Sequence, residues 1–477
     1  MRLYIIIRYI GTILLFNAIF LLIALLISIF HHEASAVPLL YSMVVCILFG
    51  IFPLIFVPPV SDINSREGLT IVVFGWTITC LIGSLPYILW GGEFSFINAW
   101  FESVSGYTTT GSTILSDIEA LPRGLLFWRS STHFIGGIGV IMFTLLILPE
   151  SVSTRLVLFK SELSELAQKN FKYRAKQTIQ VLAVVYFGLT ILEIILLKLA
   201  GMSFFDAVNH TFATIATGGF STKNSSITYF NSVPIEMIII VFMFLAGIHF
   251  GLLFDVIVFR NFNVFKSSVV RIYLLFILTG ILLTAGKLYL AGHGSILWSL
   301  RHSAFQIVSI CSTTGFVTTD TAHWPYFSQM ILIFFSLMGA CVGSTGGGLK
   351  FDRVFLYLKM IGKQIKGILH PRAIFLTHID GKNISEQVEI HTTVFIILTL
   401  LIIFISTTLV SSLNVDLFTA FSGSIATICN VGPGFGHVSS YSNYNTIPDL
   451  GKFIYCLNML LGRLEIFSIL TIFVIRH

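Results

Sequence analysis

AWFESVSGYTTTGST, residues 99–113, is the stretch that decides the fold, because the chain repeats its plan three more times: AVNHTFATIATGGFST at 207–222, SAFQIVSICSTTGFVT at 303–318 and AFSGSIATICNVGPGF at 420–435. Each version is a segment too short and too polar to cross a bilayer, closed by a glycine-bearing loop. Aligned by residue type, the key glycines are Gly111, Gly218, Gly315 and Gly432, separated by 107, 97 and 117 residues. A period of that size fits a unit of helix, half-helix, loop and helix.

The sequence around these loops is that of a membrane protein. Of 477 residues 55% are hydrophobic and only 10% charged, against about 25% charged in a soluble globular chain. A spanning length of roughly 20 residues predicts ten transmembrane helices, near 9–30, 38–58, 69–90, 125–148, 179–201, 234–258, 271–291, 326–358, 391–411 and 451–475. The first follows MRLYIIIR and lacks a small-residue cleavage site, so it reads as a retained helix and not a signal peptide. The six cysteines lie in apolar stretches without CxxC pairing, which suggests neither a disulfide framework nor a zinc site. Basic residues cluster on alternate connections: Arg2, Arg8 and Arg66; Arg155 to Lys176; Arg260, Lys266 and Arg271; Lys350 to Lys382; and Arg476. The positive-inside rule then puts both termini in the cytoplasm of a multi-pass protein of the cytoplasmic membrane. Topology alone accounts for these charges, with lipid headgroups or a soluble partner as further uses.

Two full spans per unit make the four copies parallel, so they can surround one axis, whereas inverted repeats mark many secondary transporters. The expected architecture is an all-α membrane protein with two extra N-terminal helices (1–62) and four repeats (63–150, 151–262, 263–370 and 371–477) in pseudo-fourfold arrangement around one pore. Dehydrating a cation at membrane depth demands replacement oxygens, which rings of backbone carbonyls supply. Irregular backbone is tolerated there only because it is buried in protein or lines water. Glycine allows successive carbonyls to face one axis at positive φ, and a half-helix aiming its partly negative carboxyl end at the centre favours cations. A membrane enzyme would show a clustered His, Glu or Asp set such as HExxH, and none is present.

The loops ending TTG, ATG, TTG and NVG, with GGIGV at 136–140 and LGRLEIF at 461–467, resemble the Trk/Ktr/HKT superfamily of potassium transporters, over nearly the whole chain. The two helices before the first repeat look like the bacterial Trk membrane subunit and not the Ktr subunit. The resemblance implies uptake of potassium through a filter of Thr109, Thr110 and Gly111; Ala216, Thr217 and Gly218; Thr313, Thr314 and Gly315; and Asn430, Val431 and Gly432. Potassium would be bound at Thr109, Thr110, Ala216, Thr217, Thr313, Thr314, Asn430 and Val431. It also implies a homodimer in the lipid bilayer and a cytosolic nucleotide-binding regulator of the RCK/KTN type, similar to TrkA. No organic cofactor and no nucleic acid are expected. Some plant HKT members carry serine at the first filter glycine and lean toward sodium; this chain keeps Gly111.

GACVGSTGGGLK at 339–350 interrupts the helix expected over 326–358. Each glycine costs about 1 kcal/mol relative to alanine in a helix interior, so the helix should break. Close packing through Gly339 and Gly343 is the plainer reading, but it leaves Gly346, Gly347 and Gly348 unexplained. In the resembling family this segment obstructs the pore, with Ser344 and Thr345 offering polar groups. Arg463, inside the last span, costs at least about 2.5 kcal/mol to insert. It reads either as one half of a salt bridge, to Glu465 or another buried acid, or as a fixed positive charge opposing cation passage. Glu102, Asn209 and Gln306, each nine residues before an aligned glycine, are expected to brace the half-helices. His133 and His249 read as packing residues. Asp117, Glu119, Asp320 and Asp449 read first as solvated loop residues and second as charges that concentrate cations. Lys223, just after the second loop, is assigned nothing beyond snorkelling.

Overall fold

The computed structural model describes residues 2–59, 65–147, 175–259 and 266–474. The basic segment 155–174, Arg260, Arg476 and the expected boundaries near 62, 150 and 262 lie outside those residues, as do the side chains of Arg66, Lys176 and Lys382. The described chain is almost all helix, apart from a two-residue ladder pairing His378–Ile379 with Lys382–Asn383. Hydrogen bonding within each segment is what a bilayer demands, since lipid offers backbone groups no partner.

Six of the ten expected spans are helices long and apolar enough to cross a membrane: Leu3–Phe30, Ala36–Phe56, Glu67–Trp90, Gln180–Leu199, Ser268–Leu290 and Glu386–Ser411. They leave leucine, isoleucine and phenylalanine exposed along their outer faces, as a lipid-facing helix does. The span near 125–148 is the 25-residue helix Arg123–Ile147. Three expected spans are not continuous. Val233–Ala246 and Phe250–Ile257 meet at 109°, the helix over 326–358 is split into Tyr326–Met338 and Phe351–Leu369, and the last span breaks between Asp449–Arg463 and Ile466–Val474, with Glu465 at φ +60°.

The first two helices pack through glycines: a Cβ on Gly11 would lie 2.7 Å from the Gly50 carbonyl oxygen, a close approach that small residues permit. The pair is tied to the next unit where Tyr107 Oη donates to Asn17 Oδ1 at 2.5 Å. Glu33 accepts from the backbone N–H groups of Arg123 and Gly124 at 2.8 and 3.0 Å, a carboxylate at the positive end of a helix. Between the long helices lie four short buried ones, Phe96–Tyr107, Phe204–Ile215, Ile296–Cys311 and Leu417–Ile428. Each begins at a side-chain cap, from Ser95, Ser203, Ser295 and Asp416 in turn, that accepts an N–H three residues on. Such caps contribute about 1 kcal/mol each.

Candidate functional site

All four short helices end in the same way. Thr110, Gly218, Thr314 and Val431 donate backbone N–H to the carbonyls of Ser105, Ala213, Ser309 and Ala426 at 2.7–2.9 Å. The residue before each, Thr109, Thr217, Thr313 and Asn430, sits at φ +52° to +63°. This is the Schellman closure, a 6→1 bond over a left-handed residue. Glycine is the usual occupant; threonine there is uncommon and strained by about 1–3 kcal/mol, which marks functional sites more often than scaffolds. Two residues past each left-handed position stands a glycine at φ +80° to +97°: Gly111, Gly219, Gly315 and Gly432.

The second loop is therefore one residue out of the register expected from sequence. Gly219, not Gly218, is the counterpart of Gly111, and Gly218 matches Thr110, Thr314 and Val431. In the same shift Ala216 moves out of the row of Thr109, Thr313 and Asn430, and Thr217 moves into it. The pair TGG offers two adjacent glycines, and only the three-dimensional cap decides between them.

Each of these glycines faces the backbone of the next loop. A Cβ on Gly111 would meet the carbonyl oxygen of Gly218, one on Gly219 that of Thr314, one on Gly315 that of Val431, and one on Gly432 that of Thr110, all under 3.0 Å. The contacts run from the first loop to the second, third and fourth and back to the first. Above them lies a vestibule of about 110 Å³ lined by all four glycines.

Side chains brace each loop to its half-helix. Glu102 accepts from Thr113 Oγ1 at 2.9 Å and from the Ile114 N–H at 3.0 Å. In the second unit His210, not Asn209, takes that place: its Nε2 lies 2.9 Å from Ser221 Oγ, whereas Asn209 Nδ2 donates to Phe205 in its own helix. Among the described residues the Gln306 amide has no hydrogen-bond partner, and Ser309 Oγ donates to Phe316 instead at 2.7 Å. His133 is satisfied on both nitrogens, with Nδ1 donating to Gly106 and Nε2 accepting from Phe220, so it ties the first half-helix to the second loop.

One residue that sequence reading passed over is Arg129. Its Nε donates to Glu102 at 2.5 Å, its Nη1 to the Ser221 carbonyl at 2.9 Å, and its guanidinium lies 3.5 Å from the Phe220 ring centroid. A carboxylate in the middle of an apolar repeat requires such a partner, and that was the available signal. Breaking a buried pair from one side strands the other charge at about 3–5 kcal/mol. Glu102→Ala is accordingly expected to lower thermal stability in detergent clearly, and Glu102→Gln less; equal and small losses in both would show that the pair carries no such weight.

Beneath the loops runs the segment 339–350, buried and non-helical. Thr345 Oγ1 donates to the Ile215 carbonyl at 2.9 Å, and Gly347 N donates to Thr313 Oγ1 at 2.8 Å. A Cβ on Gly346 would lie 2.9 Å from the Ser312 carbonyl oxygen and one on Gly347 2.6 Å from that of Cys429. The segment thus abuts the carboxyl ends of three short helices. It also imposes the bend at 247–249, since Cys341 N donates to Gly247 and Phe250 N to Gly343. Ser344 Oγ donates within the segment to Cys341; Gly339, Gly343 and Gly348 adopt positive φ.

Arg463 is buried and donates to two carbonyls, Nη1 to Thr345 at 2.6 Å and Nη2 to Gly136 at 3.4 Å. Glu465 instead pairs with Arg353 at 2.9 Å, so the alternative of an Arg463–Glu465 bridge gives way. Around the vestibule no acid stands among the described lining residues. Asp117 is held by the Asn224 amide, which keeps its carboxyl below the usual range; Glu119 lies 3.9 Å from Lys223, Asp320 pairs with His323 and Asp449 with Lys452.

An all-helical membrane chain whose four capped half-helices converge on glycine loops, with irregular backbone buried below, defines an ion-transport protein. A model of the family described as "TrkH: Cation transport protein" matches residues 40–477, and the chain belongs to that family, which is one of transporters and not of enzymes. The Trk system potassium uptake protein TrkH of Escherichia coli K12 is 34% identical over 417 residues, covering 87% of this chain and 86% of that one. The protein of the same name from Halomonas elongata is 33% identical, covering 99% and 98%. The crystal structure of the potassium transporter TrkH from Vibrio parahaemolyticus superposes with a TM-score of 0.89 at 30% identity, covering 99% of this chain and 98% of that one.

Proposed function

We propose that the four loops form one selectivity filter through which potassium enters the cell, with the four repeats disposed about its axis. The observation that carries this reading is the closed succession of glycine-to-carbonyl contacts from Gly111 round to Gly432. In it the ion is held by carbonyl rows from Thr109, Thr217, Thr313 and Asn430 and from Thr110, Gly218, Thr314 and Val431, with the short helices' negative ends below. Potassium is the substrate named for the relatives. The test is rubidium uptake by the purified protein in liposomes against a potassium gradient: uptake should be competed by potassium and not by equal sodium, and uptake indifferent to both would overturn the proposal.

The segment 339–350 acts as the gate, with Gly339, Gly343, Ser344, Thr345, Gly346, Gly347 and Gly348 as its moving part and Arg463 as its latch and electrostatic barrier. A unit charge 4 Å from the ion path is worth about 1–4 kcal/mol at effective dielectrics of 80 to 20. Arg463→Ala should raise rubidium flux roughly fivefold or more with ion preference kept; unchanged flux in a well-folded variant would remove the barrier role. Both termini lie in the cytoplasm, the protein works as a homodimer, and a separate cytosolic nucleotide-binding protein controls the gate, as the Trk assignment and the cationic connections support. The divisions at 62, 150, 262 and 370 are the repeat boundaries in this reading.

A further inference from the structure

Among the described residues lining the vestibule, the charged ones are Arg129 and Lys223, and none is acidic. Arg129 is neutralised by Glu102 at 2.5 Å. Lys223 is different. Its Nζ lies 3.9 Å from Glu119 and 4.2 Å from the Tyr229 ring centroid, Asp206 also feels its charge, and both acids sit outside the lining. Of the two charges, Lys223 is the one that lines the vestibule. A cation at the mouth of a cation pathway lowers local cation concentration, which is a cost unless it discriminates among cations.

We infer that Lys223 is a fixed charge that sets affinity for the incoming monovalent ion and keeps divalent cations out of the vestibule. This rests on the filter reading, which places the ion's path through the vestibule. The physical basis is valence: one potential acts on an ion in proportion to its charge, so a factor f in monovalent binding becomes f² for a divalent ion. A unit charge roughly 8 Å from the path, at an effective dielectric of about 60, corresponds to about threefold for potassium and hence about ninefold for magnesium or barium. Tethering by Glu119 and Tyr229 matters because a freely moving lysine would swing toward bulk water and its effect would average away.

The experiment uses the full chain in liposomes at low ionic strength, where screening is least, measuring the KM for potassium and the inhibition constants of magnesium and barium. Lys223→Gln should lower the KM about threefold and the divalent inhibition constants about ninefold, with the potassium-to-sodium ratio unmoved. Lys223→Arg restores the charge and should restore both constants. Glu119→Gln keeps the oxygen that accepts from Asn224 N but removes the counter-charge, and should shift both constants the other way; it tests the sign independently should Lys223→Gln fold poorly. Equal constants in wild type and Lys223→Gln, or Lys223→Arg behaving as Lys223→Gln, would overturn the inference. A change in the potassium-to-sodium ratio would also overturn it, by making Lys223 part of the filter. Failure of the filter reading shows elsewhere, in the glycine variants.

Discussion

Serine in place of Gly219 is expected to lower the preference for potassium over sodium by about tenfold or more, which corresponds to about 1.4 kcal/mol. Two effects combine at that position. Its φ of +80° disfavours any residue with a Cβ, and the new Cβ would press into the Thr314 carbonyl oxygen, one of the oxygens of the proposed filter. Backbone cannot step aside as a side chain can, so the carbonyl turns off the axis. Gly218→Ser is the informative comparison, because Gly218 lacks positive φ and its Cβ would meet the His133 ring. It should lose stability first and selectivity less. Gly111→Ser and Gly315→Ser should resemble Gly219→Ser, whereas Gly432, followed by Pro433, combines filter strain with a backbone fixed by proline and should lose flux as well. Competitive uptake of potassium, rubidium and sodium in liposomes checks all five variants. Unaltered selectivity throughout would show that these loops are structural turns.

The pattern of four loops was legible because the chemistry of the turn is local: a left-handed cap followed by a positive-φ glycine needs particular residues, and the chain supplies them four times. The register of the second loop was not legible from TGG alone. A signal existed upstream, since Ser95 precedes Gly111 by 16 residues and Asp416 precedes Gly432 by 16, as Ser203 does Gly219, whereas Ser203 to Gly218 gives 15; the third short helix is four residues longer, with Ser295 20 residues before Gly315. Counting from the caps of the first and fourth short helices would have corrected the second glycine. The break at 339–350 was readable from glycine content. Those at 247–249 and 464–465 were not, because they are imposed from outside: the first by backbone bonds to Cys341 and Gly343, the second where Glu465 turns toward Arg353. Apolar runs such as FLAGIHFGLLF otherwise favour a straight helix.

Deleting Gly343 to Gly347 is expected to raise potassium flux about tenfold or more, even with no cytosolic partner present. The segment is tied to its surroundings by Thr345 Oγ1 to Ile215, Gly347 N to Thr313 Oγ1 and Arg463 Nη1 to the Thr345 carbonyl, and by the backbone bonds of Cys341 N to Gly247 and Phe250 N to Gly343. Neutral bonds of this kind contribute about 0.5–1.5 kcal/mol net and charged ones about 1.5–3. In the gate reading the closed arrangement is therefore favoured by several kcal/mol, enough to leave open molecules rare and small enough for a regulator to reverse. Removing the five residues removes these bonds, that of Phe250 N included and that of Cys341 N excepted, and in the gate reading the obstruction with them. Thr345→Val is the gentler variant, keeping shape and backbone while deleting the hydroxyl that reaches Ile215. It should raise flux severalfold with selectivity intact, because Gly347 still braces Thr313. Flux unchanged or lost in both variants, each shown to be inserted and folded, would mean that the segment supports the filter from below and does not gate it. A rise in Thr345→Val alone would divide the two roles, assigning closure to the threonine and support to the glycines that follow it.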